Sequence, residues 1–249
     1  ARTRRGLGRA TERGTELRSM NEHPPPRVGV AVPAAGLGRR MGGLRKPFLE
    51  LASEPVLLHA LRPFLTEPRV VAVVVALSPD DAGQPPAWIA DLDDRVSVVA
   101  GGETRTDSVR NAVAALPNDL DIIAVHDAAR PLVTRDMISR CIDVAAEGRG
   151  AVAGCPAIDT MKRVDPHGRV LDTPSRAELW HAHTPQVFPA ELVRRAYEGA
   201  SSGTDDAALV ESVGGDIQMV DAGSTNIKVT RPEDIPIAES ILAARSDHG

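Results

Sequence analysis

Five short runs of almost unbroken apolar, largely β-branched residues punctuate the chain: Val28–Val32, Val70–Leu77, Val96–Ala100, Ile122–His126 and Ala151–Pro156. A strand with one wet face alternates polar and apolar side chains. Continuous runs such as these belong in a parallel sheet covered on both sides. Between them the sequence predicts helices at Val56–Leu65, Ala87–Leu92, Asp107–Leu116 and Thr134–Glu147. In the last, Met137, Ile138, Cys141, Ile142 and Ala145 fall on one face, and Thr134 can cap. The βαβ order therefore predicts an open, mostly parallel α/β sheet with helices on both faces and ligands beyond the carboxyl ends of its strands. Aromatic residues are only 2% of the 249, so the core must be built from Val, Leu, Ile and Ala.

From residue 157 to about 185 this rhythm stops. Thr160–Val164 and Arg169–Leu171 flank Asp165-Pro166-His167-Gly168, the pattern of a hairpin with a four-residue turn. The segment has too few large apolar residues for a core of its own. It reads as a projecting β-arm of the kind that buries itself on a second copy, so a homodimer is expected. Regular order then returns. Helices are expected at Pro189–Gly199, Thr204–Val213 and Pro232–Arg245, and short strands at Gln218–Val220 and Ile227–Val229.

The expected organisation is a leader, 1–27, and a single domain, 28–249, with 157–185 as the dimerisation arm. Residues 1–19 carry six Arg and two Glu without a hydrophobic period and read as a disordered or extended leader, with Met20 as a candidate start. The whole chain is at −5 and the leader at +4, so the remainder is at −9. An acidic body argues against a nucleic-acid partner. No apolar run approaches the ~20 residues of a membrane span, and no signal peptide is recognisable. Cys141 and Cys155 lack metal-ligand spacing and read as reduced thiols, consistent with a cytoplasmic protein.

The first strand candidate empties into Pro33-Ala34-Ala35-Gly36-Leu37-Gly38-Arg39-Arg40-Met41, and Lys46 follows ten residues after Gly36. Small residues let backbone N–H groups approach an anion, and Arg40 and Lys46 add charge that does not titrate near neutrality. This is neither the dinucleotide fingerprint nor the nucleoside-triphosphatase loop, because the required third glycine and the Gly-Lys-Ser/Thr are missing. On its own it is a phosphate site or a tight turn.

Gly101-Gly102-Glu103-Thr104-Arg105-Thr106-Asp107-Ser108 follows the third strand. Its glycines expose backbone to a planar ring whose edge Ser108 can bond; the equal alternative is a turn feeding a helix capped by Asp107. His126-Asp127-Ala128-Ala129-Arg130 closes the fourth strand. Asp127 can hold Mg²⁺ and Arg130 can fork onto a phosphate, or the two can be a cap and its partner. His126 reads as a satisfied, semi-buried histidine. Lys228 lies between Ile227 and Val229 and points opposite to them, into a site or into solvent.

Together these segments resemble the 2-C-methyl-D-erythritol 4-phosphate cytidylyltransferase family over about residues 28–244. Asp159-Thr160-Met161-Lys162, Leu179-Trp180, Thr184-Pro185-Gln186 and Asn226 through Asp234 complete the likeness. The resemblance implies a Rossmann-like nucleotidyltransferase fold and transfer of CMP from CTP to a sugar-alcohol phosphate with Mg²⁺, in the non-mevalonate isoprenoid pathway. It implies that Arg40 and Lys46 stabilise the transition state. Lys228 and Arg176 would position the sugar phosphate, Arg176 from across the dimer. CTP would be held by Pro33, Ala34, Ala35, Gly36, Leu37, Gly38, Arg40, Lys46, Gly101, Gly102, Glu103, Arg105, Ser108, Asp127, Ala128 and Lys228. The second substrate would meet Asp127, Arg130, Thr160, Arg176 and Thr184, and Asp127 would lie at the metal. Arg45 stands where the family usually has Pro before the lysine, with Pro47 after it, and Glu103 stands where Asp is common. Ribitol-5-phosphate cytidylyltransferase shares this chemistry and similar motifs. A non-catalytic nucleotide-binding regulator is the alternative of another class, argued against by the joint presence of Arg40, Lys46, Asp127 and Lys228.

Overall fold

The computed structural model describes residues 24–36, 46–199, 203 and 205–246, with only the backbone of Lys46 and Ser246. The leader through residue 23, and Leu37, Gly38, Arg40 and Arg45, lie outside the described residues.

Seven strands form the central sheet: β1 (Val28–Pro33), β4 (Val70–Leu77), β5 (Val96–Ala100), β6 (Ile122–Val125), β7 (Gly150–Pro156), β10 (Trp180–Pro189) and β11 (Ile217–Asp221). Their order across the sheet is β11-β7-β10-β6-β1-β4-β5. Every pair is parallel except those made by β10, which runs antiparallel to both β6 and β7. Order reverses at β1, which has β4 on one side and β6 on the other. A crevice opens at such a switch point, beyond the carboxyl ends of the strands.

The two faces of the sheet are covered as the continuous apolar strands require. Val28, Val30 and Val32 of β1 pack with Val73, Val75 and Leu77 of β4 against α1 (Val56–Leu65) and α5 (Arg135–Ala146). The alternate positions, Ala31, Val74, Ala76 and Val125, face α4 (Arg105–Ala115), α6 (Ala190–Glu198) and α7 (Asp206–Ser212). Short helices α2 (Pro79–Gly83) and α3 (Ala87–Ala90) follow β4. The two-residue strands β2 (Glu50–Leu51) and β3 (Glu54–Pro55) precede α1. Helix α8 (Asp234–Ser246) closes a small cluster of Leu51, Val56, Leu132, Val229 and Ala238.

Several expectations are corrected. Helix α4 starts at Arg105, two residues early, because Thr104 is the cap: its hydroxyl accepts from Asp107 N–H, and the Asp107 carboxylate accepts from Thr104 N–H. This reciprocal box satisfies two orphan donors. No strand forms at Ile227–Val229, since its neighbour is the irregular turn after β6; only Val229 N–H bonds, to Ala129 O at 2.8 Å. Helix α8 begins at Asp234, whose carboxylate gathers the N–H groups of Thr230 and Arg231 ahead of it.

The largest difference is β10. Residues 180–185, read from sequence as the end of the arm, enter the sheet. Trp180, His181 and Ala182 pair with Pro156, Cys155 and Gly154, and Gln186 through Pro189 pair with β6. The register skips between Ala182 and Gln186, and the Thr184–Pro185 bond is cis. Pro185 has no N–H for a ladder, so the strand bulges there. The arm proper spans 157–179 and carries the hairpin β8 (Arg163–Val164) and β9 (Val170–Asp172). Its turn is the expected one: Asp165 accepts from His167 and Arg169 N–H, and Gly168 sits at φ +80°.

Candidate active site

A cleft of about 890 Å³ lies at the switch point, lined by the loops that leave β1, β4, β5 and β6. The first wall is the exit of β1. Ala34 N–H is tied to Ala76 O at 2.8 Å, and the chain then rises from buried Ala34 to exposed Gly36. Pro33, Ala34, Ala35, Gly36 and Pro47 all line the cleft. The expected contributions of Leu37, Gly38 and Arg40 lie outside the described residues. Lys46 opens a 3-10 turn, Lys46–Phe48, at the cleft's edge.

The second wall is the loop from β5 to α4. Gly101 N–H donates to Leu77 O at 2.7 Å, and Gly102 N–H to Ser108 Oγ at 3.1 Å. Ser108 Oγ in turn donates to Thr104 O, so this hydroxyl holds the loop itself. A Cβ on Gly101 would stand 2.5 Å from the Ala35 Cβ, and one on Gly102 would stand 2.2 Å from the Asp107 Cβ. Only glycine permits the two walls to approach this closely. The exposed Glu103 completes the rim.

The floor is the exit of β6. His126 is fully buried, and its hydrogen bonds define its tautomer. Nε2 meets the Arg130 carbonyl at 3.1 Å and must donate; Nδ1 therefore accepts from Thr184 Oγ1, also at 3.1 Å. Thr184 Oγ1 accepts in turn from Asp127 N–H at 3.0 Å. Burial pushes the His126 pKa down to about 4, so the ring is neutral at pH 7. This agrees with its reading as a satisfied histidine. The bulge in β10 is what aims Thr184 at Asp127. Arg130, expected to fork onto phosphate, is buried and donates Nη1–H to Asn226 O at 2.7 Å. Asn226 donates to Thr184 O at 2.8 Å. Thr184 and Arg130 thus frame the floor from within.

Asp127 is clamped between two cations. Arg105 Nε donates to Oδ1 at 2.9 Å and Lys228 Nζ to Oδ2 at 2.6 Å. Burial alone would raise this carboxyl, but Arg105 and then Lys228 outweigh it and hold it far below the usual carboxylate range. Lys228 therefore points into the site, the first of the two readings its position allowed. Nη1 and Nη2 of Arg105 each donate to one oxygen of Asp206, at 2.9 and 2.7 Å. Asp206 is fully buried and also accepts from the Tyr197 hydroxyl. Gln186 of β10 pins the start of α7 by donating to Asp205 and accepting from Ala207 N–H. Sequence reasoning missed Asp206, Tyr197 and Gln186. The doublet Asp205-Asp206 at a helix start reads only as a cap, and nothing local says that one of its carboxylates turns inward.

Thr160 and Arg176 are not brought to this cleft within one chain. Both lie on the exposed arm, where Arg176 Nη1 donates to Ile158 O at 2.5 Å. For a divalent cation, Asp127 and Glu103 are the carboxylates lining the cleft. No cluster of three or more His, Cys, Asp or Glu able to hold a metal occurs among the described residues. Each Asp127 oxygen keeps a lone pair beyond its one cation. The donor set fits Mg²⁺ held by one carboxylate and completed by substrate phosphates and water.

Comparison with known proteins agrees with this geometry. The family model described as IspD: 2-C-methyl-D-erythritol 4-phosphate cytidylyltransferase matches residues 28–244. The Solibacter usitatus enzyme of that name is 39% identical over 244 residues, covering 88% of this chain and 98% of the relative. Its counterpart in Symbiobacterium thermophilum is 41% identical over 220 residues, covering 86% and 92%. Among solved structures, the 4-diphosphocytidyl-2C-methyl-D-erythritol synthase of Anaerococcus prevotii superposes with a TM-score of 0.78 at 25% identity, covering 88% of this chain and 97% of its own. The Thermus thermophilus cytidylyltransferase gives 0.70 at 29% identity, covering 87% and 98%. With a cleft at the switch point of a mostly parallel sheet, and a family match along nearly all of it, this chain belongs to the 2-C-methyl-D-erythritol 4-phosphate cytidylyltransferase family.

Proposed function

We propose that this protein transfers the cytidylyl group of CTP to 2-C-methyl-D-erythritol 4-phosphate, a step of isoprenoid biosynthesis, as a cytoplasmic homodimer. The observation that carries the reading is the glycine-lined cleft with the Lys228–Asp127 pair at its floor, in a chain of this family. In the reaction a phosphate oxygen of the acceptor attacks the α-phosphorus of CTP. The bond from that phosphorus to the bridging oxygen breaks, and pyrophosphate leaves with the electron pair.

The chain's own part is positioning and charge. The exit of β1 offers backbone N–H groups to the triphosphate, and Gly101 and Gly102 give a flat seat for the base. Arg40 and Lys46 meet the charge that builds on the α-phosphate oxygens. Lys228 orients the acceptor phosphate. A Mg²⁺ ion bound with the nucleotide would neutralise phosphate charge, with Asp127 as its protein ligand. Thr160 and Arg176 would serve the cleft of a second copy. The arm's apolar residues favour this: Ile158 is 75% exposed and Leu171 64%, with Val164 and Val170 beside them. Four large apolar side chains left exposed on one short segment are what an interaction surface leaves uncovered in the single chain.

Pyrophosphate release with CTP and Mg²⁺ tests the reading, with methylerythritol 4-phosphate and ribitol 5-phosphate as rival acceptors. Release with the former alone is expected. Release with ribitol 5-phosphate alone would keep the mechanism and reject the substrate. Binding of CTP without release with either would favour a regulator.

A further inference from the structure

Arg105 makes only one contact with Asp127, through Nε to a single oxygen, although the two groups are adjacent. A guanidinium beside a carboxylate ordinarily forks onto both oxygens. A fork here would reach Asp127 Oδ2 and take the lone pair that this oxygen keeps beyond Lys228, which holds it at 2.6 Å. The guanidinium is oriented from one step further in. Asp206 takes one N–H from each terminal nitrogen of Arg105, and this grip sets the plane of the group with Nε toward Asp127. Asp206 reaches this place from the first turn of α7, is fully buried, and is itself braced by the Tyr197 hydroxyl and by the Gln186 bonds that pin the helix start. The four charges alternate in sign along their contacts, Lys228, Asp127, Arg105, Asp206; the first three line the cleft and Asp206 lies buried behind them.

We infer that Asp206, braced by Tyr197, is a positioning residue: by gripping the end of the Arg105 guanidinium it holds Nε alone against Asp127 and leaves the other carboxylate oxygen to Lys228 and the cleft. This rests on the cleft being the cytidylyltransferase site. Asp206 touches no substrate; it decides how Arg105 presents Asp127. In Asp206→Asn the charge that holds the fork is gone. Arg105 is released to turn onto both Asp127 oxygens, and it takes the Oδ2 lone pair otherwise open to the nucleotide–metal complex.

The test is a mutant cycle on the full chain, read by calorimetric titration with Mg·CTP and by pyrophosphate release. Asp206→Asn is expected to weaken Mg·CTP binding and lower kcat by about tenfold or more each, the usual scale for losing a group that orients a ligand. Tyr197→Phe should move both in the same direction by less. The decisive variant is Arg105→Gln with Asp206→Asn, which removes the fork along with its keeper. It is expected to bind Mg·CTP better than Asp206→Asn alone. A double variant no better than the single would overturn the inference, as would an unaltered Asp206→Asn. Leu209→Ala loosens the same helix without touching Arg105. If it lowers Mg·CTP binding as much as Asp206→Asn does, the role is merely structural and the inference fails. The underlying reading fails differently: wild-type protein that releases no pyrophosphate rejects the activity. The calorimetric arm still decides the role of Asp206 if Mg·CTP binds. Wild-type protein that neither binds nor reacts overturns both.

Discussion

The floor of the cleft and the arm are two ways of ending a strand, and they differ in what the single chain supplies. Around the end of β6 the titratable side chains are met from within: His126 by Thr184 and Arg130 O, Asp127 by Arg105 and Lys228, Asp206 by Arg105 and Tyr197. Beyond the end of β7 the arm leaves Ile158, Val164, Val170 and Leu171 exposed, with only a short two-strand hairpin of its own. An isolated hairpin of this size is marginal in water. The floor can therefore keep its geometry in one protomer, whereas the arm's apolar side chains stay uncovered in the single chain.

Four measurements test that contrast. The largest effect is expected inside the cleft. Lys228→Ala, and likewise Lys46→Ala, should lower kcat by about 100- to 1,000-fold, and only Lys228→Ala should also lower the melting temperature, because it strips a cation from buried Asp127. A near-normal rate in steady-state kinetics would remove either lysine from the mechanism.

Next comes the frame beneath it. Thr184→Val leaves Asp127 N–H and His126 Nδ1 without partners in the interior, and should cost about 3 kcal/mol of unfolding free energy in urea titration. A loss under about 0.5 kcal/mol would mean that the floor is not held as tightly as its bonds imply.

Acid should reach the same frame. Folded, His126 binds a proton only near pH 4; unfolded, near about 6.5. Between those values the unfolded chain holds more protons, so stability falls as pH falls, by about 2 kcal/mol between pH 7 and 5. Asp127 adds nothing in this window, because it is ionised there in both states. His126→Gln should remove that share of the slope and leave the part due to His183, whose half-buried ring is also pushed down to about 4 by burial; a wild-type chain equally stable at both pH values would contradict the buried neutral ring.

The smallest effect on the fold is expected in the arm. Leu171→Asp should change the protomer's own stability by less than about 0.5 kcal/mol while shifting sedimentation from dimer to monomer. Unfolding of the chain by this change would show the arm to be part of the core, and the contrast would collapse.

Most of the fold was legible because its evidence is local. The β-branched runs of β1, β4, β5, β6 and β7 need both faces covered, and the periodicity of α5 with Thr134 as its cap is a property of adjacent residues. The expected strand ends fell within a residue or two of those observed. So did the loops that line the cleft, since glycines at 36, 101 and 102 and the carboxylate at 127 each follow a strand. β10 was not legible: a stretch with Pro185 inside it and Pro189 at its end argues against a central strand, and only the bulge at 183–185 reconciles the two.

The layers, and the end of the sheet at which the cleft opens, were therefore readable from neighbours along the chain. Tertiary structure alone decided which of the charged residues face the ligand and which face each other. Arg130 turned inward to Asn226, and Arg105 was divided between Asp127 and Asp206. Those partners stand 96, 22 and 101 residues away along the chain. A guanidinium has no preference, readable in sequence, between a phosphate and a carboxylate; the buried carboxylate that the fold brings beside it settles the choice.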